Sequence, residues 1–160
     1  MRFKVAPPAG SLEDLAEARA AIPLVPDSEA DCCQAIQTAL DLQTRDSASD
    51  LLTFLQALGL VDSSTRGYYR TQEPLERATV ADADREHVFG VSELLAVLDE
   101  TPRGVDAAFE EIRDEIPEWE RNRHADWESV WRARVENLLE WGVVFGLVRV
   151  DDAGYRLAGQ

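Results

Sequence analysis

Lysine is almost missing from this chain: of 16 basic residues only Lys4 is one, and the other 15 are arginines. Histidine is scarce as well. His87 and His124 stand 37 residues apart, with no cysteine or histidine at ligand spacing, and the His124 segment "HADWE" lacks the second histidine of a zinc-protease helix. No glycine-rich loop follows a strand to cradle phosphate, no serine or cysteine has an evident base, and no carboxylate pair stands out as an acid–base couple. The expectation is therefore a protein without catalytic residues, metal or cofactor. Its two cysteines, Cys32 and Cys33, are adjacent, so they cannot staple distant parts of the chain, and a reduced, cytoplasmic protein is expected. No apolar run approaches the ~18 residues of a membrane span and nothing resembles a signal peptide, so no membrane partner is expected.

What is abundant is acid. The chain carries 31 Asp and Glu against 16 basic residues, a formal net charge of −15. Abundant acid and alanine with lysine nearly absent resembles the proteomes of extreme halophilic archaea, whose cytoplasm holds molar KCl. In dilute salt such a charge would repel nucleic acid. At molar salt the Debye length falls to about 3 Å, so distant carboxylates barely reach a phosphate. Net charge then does not exclude DNA, but any contact must rest on close, well-fitted groups.

One phrase occurs twice. "GLVDSSTRGYYR" begins at Gly59 and "GLVRVDDAGYRL" at Gly146, 87 residues later. Before Gly59, "DLLTFLQAL" places Leu51, Leu52, Leu55 and Leu58 on one helical face, and the glycine sits where a helix ends. "LV" starts a strand, "DSSTRG" is a turn and "YYRT" returns. Before Gly146, Trp131, Val135, Leu138 and Leu139 share a face, Gly142 loosens the helix end, "DDAG" turns and "YRLA" returns.

Two more helices precede each hairpin. Ser11 caps one that places Leu12, Leu15, Ala16 and Arg19 in a stripe, and Pro23 and Pro26 stop it. Asp27 or Ser28 caps the next, with Cys32, Ala35, Ile36, Ala39 and Leu40 inward. In the second half one helix starts at Ser92, and another carries Val105, Phe109, Ile112 and Ile116 at a helical period.

Helix, helix, helix, hairpin resembles the winged-helix fold, a helix-turn-helix followed by a β-hairpin wing. "Leu-Gly-Leu-Val", a turn and "Gly-Tyr-x-Arg" are frequent there. The resemblance runs from about Ser11 to Thr71 and from Ser92 to Leu157, and composition makes a haloarchaeal winged-helix family the nearest match. It implies a mainly α protein with small β-hairpins: a first unit at residues 1–73, a linker or connecting helix at 74–90, and a second unit at 91–160. About a dozen extra residues near 117–128 interrupt the second unit.

The resemblance also implies double-stranded DNA as the leading partner and a role in transcription. Arg66 and Arg70 lie on the first hairpin, Arg132 and Arg134 in the third helix of the second unit, and Arg149 and Arg156 on the second hairpin. The third helix of the first unit offers Ser47, Ser49, Asp50, Thr53 and Gln56, a poor set for reading bases. The competing reading pairs the arginines with acids one helical turn away, as Glu128 and Glu136 stand to Arg132. Residues 81–160 hold 9 basic and 19 acidic residues, residues 1–80 hold 7 and 12, so the arginine-rich half is also the more acidic. The alternative function is a protein–protein module, a dimer or a complex subunit, with Trp119 and Trp127 as contact residues. Otherwise the four tryptophans are core. Cys32 and Cys33 are small core residues or, less simply, a redox pair.

Overall fold

The computed structural model describes residues 6–158, and the chain divides into two compact units between Phe89 and Gly90. The first unit runs α1 (Leu12–Ala20), α2 (Glu29–Leu40), α3 (Arg45–Ala57), β1 (Val61–Ser64), β2 (Gly67–Arg70) and α4 (Arg77–His87). Ser11 caps α1 in a capping box with Asp14, Ser28 caps α2 and Thr44 caps α3, each hydroxyl accepting an N–H of the first turn. The helices pack on Leu15, Ala18 and Ile22, on Cys32, Cys33 and Ile36, and on Leu51, Leu52, Phe54 and Leu55. The inner stripe of α1 therefore includes Ala18 and leaves Ala16 exposed, and α2 buries both cysteines while Ala39 is exposed. Neighbouring helices cover those faces through a wider arc than one row of side chains.

The second unit repeats the order with α5 (Val91–Val97), α6 (Val105–Ile112), a 3-10 turn (Arg113–Glu115), α7 (Glu118–Arg121), α8 (Trp127–Val144), β3 (Val148–Asp151) and β4 (Gly154–Leu157). The first of these helices starts at Val91, with Gly90 at φ 98° before it and no side-chain cap from Ser92. Gly142, read as loosening the end of α8, has a packing role there. It is buried inside the helix, where an added Cβ would stand 2.8 Å from Val148 Cγ2, so its missing side chain seats the wing.

Each hairpin is tighter than the sequence suggests. Asp62, Ser63 and Ser64 belong to β1, and the first turn is only Thr65 and Arg66. A third backbone segment joins each wing. Asp27 and Tyr68 exchange both N–H···O bonds, at 2.9 and 2.8 Å, and Arg103 and Tyr155 do the same at 2.8 Å each. Gly67 and Gly154 face these segments at φ 127° and 133°. A Cβ there would meet the Asp27 carbonyl oxygen at 2.0 Å and that of Arg103 at 2.7 Å. Gly59 and Gly146 do different work. Both end a helix at φ 79°, and the space beside Gly59 is open.

The third segments lie 76 residues apart and the hairpins 87, so the second unit has 11 additional residues between bridge and hairpin, spread over a longer α8 and a longer α6–α8 connection that holds the 3-10 turn and α7. The stretch 74–90, read as a linker or connecting helix, holds α4, which packs on α3 within the first unit and buries Val80, Ala81 and Asp84.

Asp84 is fully buried, and neither carboxyl oxygen has a hydrogen-bond partner among the described residues. Burial pushes its pKa up from 3.8 to about 7. The folded chain therefore holds this proton where the unfolded chain has lost it, and stability falls as pH rises from the unfolded to the folded pKa. Asp84→Asn should add on the order of 4 kcal/mol at about pH 8 and little at about pH 4. Calorimetric melts of both proteins at fixed KCl check this, and parallel pH profiles would refute it. Gly59→Ala should cost about 1–2 kcal/mol, the left-handed strain alone. Gly67→Ala should cost about 3 kcal/mol or more, because backbone must also move. The first unit has no tryptophan, so far-UV circular dichroism is the readout, and equal losses would count against the close approach.

Candidate nucleic-acid interface

The arginines of α8 are held by acids. Arg132 reaches α6, with Nε 3.1 Å from Asp106 and Nη2 3.6 Å from Glu110, and its guanidinium stacks 4.8 Å from the Phe109 ring centre. Arg113 pairs with Glu128 at 2.8 Å and lies over Trp127 at 4.9 Å. Its hydrogen bond holds the Glu128 carboxyl below its ordinary range. Arg121 covers Trp127 at 5.1 Å and donates to the carbonyls of Ile116 and Arg113 at 3.1 and 2.7 Å. Arg134 donates to Glu120 at 3.2 Å and stacks on Trp131.

The last pair is the most enclosed, with side-chain exposures of 20% for Arg134 and 2% for Glu120. Arg123 adds a second cation 3.6 Å from the same carboxylate. These contacts tie the additional segment to α8. Of the two arginines expected to face phosphates, Arg134 holds the segment that the first unit lacks, and Arg132 ties α8 to α6. Sequence reasoning found the i to i+4 partner Glu128, 4.0 Å from Arg132, but missed Glu120 and Arg113, which the chain path brings in from another element.

The third helices present little to a base edge. On α3 the half-exposed side chains are Ser49, Asp50, Thr53 and Gln56, and Gln56 donates to Ser63 of the wing at 3.1 Å. Ser47 is engaged with the Thr44 cap. On α8 the exposed positions are Ser129, Ala133 and Glu136. Reading guanine in the major groove needs a free bidentate donor, and the only exposed arginine of the two helices is Arg45, at the first turn of α3 beside the Cys33 thiol.

The wings differ. Arg66 sits exposed in the two-residue turn, and Arg149 is exposed on β3. Neither has a carboxylate partner among the described residues. Arg149 stands opposite Arg156 across the hairpin, on the outer face, and Arg156 is bonded to Asp151. Arg70 lies at the base of its wing, where its N–H donates to Pro23 O at 2.8 Å.

The tryptophans separate into two kinds. Trp131 and Trp141 are buried, the latter stacked on Phe145 with centroids 5.4 Å apart. Trp127 is half-buried between the guanidiniums of Arg113 and Arg121, whereas Trp119 is 52% exposed. Cys32 and Cys33 are buried free thiols. Burial, then Asp27, pushes Cys32 up to about 11, and burial raises Cys33 as well. A sensor thiol needs the opposite shift. Among the described residues no group of three His, Cys, Asp or Glu could hold a metal, and no helix is long and apolar enough to cross a membrane.

Removing Arg134 would leave Glu120 buried beside the more distant Arg123. Arg134→Ala should cost about 3 kcal/mol, whereas Arg132→Ala, at 36% exposure, should cost about 1 kcal/mol or less. Urea unfolding at fixed KCl, followed by tryptophan fluorescence, reports this directly because all four tryptophans lie in the second unit. A reversed order would refute the assignment of Glu120 to Arg134.

The family model described as the halobacterial double winged helix domain matches residues 1–160. Neither the search of curated proteins nor that of solved structures gave a match. Two units with the same order of three helices and a wing, an excess of acid, and a match over the whole length place the chain in one group: it belongs to the halobacterial double winged helix domain family.

Proposed function

We propose that this protein is a non-enzymatic, cytoplasmic regulatory protein that associates with double-stranded DNA through its wings rather than its third helices. The observation that carries this reading is the placement of Arg66 and Arg149 on exposed hairpin positions without carboxylate partners, while Arg132 and Arg134 are held by acids. Arginine on a wing suits phosphate or minor-groove contact, which positions a protein on a duplex and reads little sequence. A second reading, a protein–protein module, draws on Trp119 and on the exposed Ser129, Ala133 and Glu136 of α8.

Fluorescence anisotropy of a labelled duplex across a KCl series tests the wing reading. Arg66→Ala/Arg149→Ala should weaken binding by roughly tenfold and flatten the salt slope by about two, one per lost phosphate contact. Arg132→Ala should bind as wild type does. An absence of binding at every KCl concentration that keeps the chain folded, or an unchanged wing variant, would sink the DNA reading and favour the protein partner.

A further inference from the structure

A strongly acidic protein that leaves two neighbouring arginines without an acid invites a question about what anion they face. In the first unit, Arg19 of α1 and Arg70 of β2 line one open cleft of about 440 Å³. That is within the usual range of small-molecule sites. Neither guanidinium has a carboxylate within ion-pair distance among the described residues. Arg19 is fixed in place: its Nη2 donates to the Thr71 carbonyl and lies 3.3 Å from the Thr71 hydroxyl. Its Nε–H is buried and has no acceptor among the described residues.

Burial first, and then the charge of Arg70, lower the pKa of Arg19, with Glu73 acting the other way. Two close cations with an unused buried donor gain from any anion that enters. The rest of the cleft is mostly apolar. Ala16 and Ala20 of α1, Leu24 and Leu75 line it, and Leu24 is 54% exposed. An exposed leucine beside paired guanidiniums fits a ligand with two ends.

We infer that this cleft binds a small organic acid, its carboxylate held by Arg19 and Arg70 and its aliphatic body laid against Ala16, Ala20, Leu24 and Leu75. Inorganic anions satisfy the arginines but leave the apolar wall wet, and alcohols do the reverse. Contact pairing of this kind survives high salt, because screening acts on separated charges far more than on touching ones. The site does not depend on the wing contacts with DNA, since it uses neither Arg66 nor Arg149.

The test is calorimetric titration of the full chain at fixed KCl with octanoate, with octanol and with inorganic phosphate. Octanoate should bind saturably, and each of the other two at least roughly tenfold more weakly, the scale of one charge-assisted hydrogen bond. Arg70→Gln, which leaves the Arg19–Thr71 contact intact, should weaken octanoate by a similar factor. Glu73→Gln removes a carboxylate whose charge acts on Arg19 from an exposed position and should tighten octanoate. Saturable binding absent in wild type, octanol or phosphate binding as tightly as octanoate, or an indifferent Arg70→Gln variant would each overturn the assignment.

Discussion

In each unit the backbone of a loop residue, Asp27 or Arg103, runs so close to the wing that only a glycine can face it. The two hydrogen bonds of each bridge fix the start of the following helix against the hairpin, so α2 and α6 are placed by the wing as much as by their own apolar faces. The same contact explains why Gly-Tyr recurs in both copies. The glycine admits the carbonyl, and the tyrosine after it supplies the backbone partners. Tyr155 then uses its hydroxyl on Glu140, a hydrogen bond without a counterpart at Tyr68, whose surroundings are Glu29 and the two thiols. Shared backbone geometry has been kept while the side chains around it have diverged.

With acids so abundant, an arginine next to a carboxylate is the ordinary arrangement on this protein. The second unit makes structure out of it. Arg113, Arg121, Arg132 and Arg134 alternate with Phe109, Trp127 and Trp131, so each cation has an acid or carbonyl on one side and a ring on the other. Pairing, stacking and hydrogen bonding at contact range are much less screened by salt than surface attraction between separated charges. The additional segment is held largely by such contacts, with Ile116 as its apolar anchor. Among the described residues, cations without an acid include the exposed Arg45 at the start of α3, Arg66 in its turn, Arg149 on the outer strand, and Arg19 and Arg70 in their cleft, and the proposed contacts are drawn from these.

Buried charge is handled in two ways. Glu120 is paired, with Arg134 and Arg123 converging on its carboxylate, whereas Asp84 has no partner among the described residues and keeps its proton to near neutrality. The first arrangement adds specificity to the fold of the second unit. The second makes the first unit sensitive to pH in a range where surface carboxylates no longer titrate.

Periodicity, caps and the repeated phrase were enough to determine two copies of three helices and a hairpin, because those features are local: a hydroxyl accepts from its own first turn, and a glycine ends its own helix. The apolar faces of α3 and α8 were legible for the same reason, since burial follows the helical repeat. Tertiary structure alone decided what the polar residues do. Arg132 and Arg134 look like phosphate contacts in sequence, and Trp127 like an exposed anchor, until α6 and the additional segment bring Asp106, Arg113 and Glu120 to them. Asp84 reads as one acid among 31, and Arg19 as a stripe residue with no visible tie to Arg70, 51 residues away. A charge is defined by its neighbours within a few ångströms, and in a folded chain those neighbours come from elements that the sequence keeps far apart.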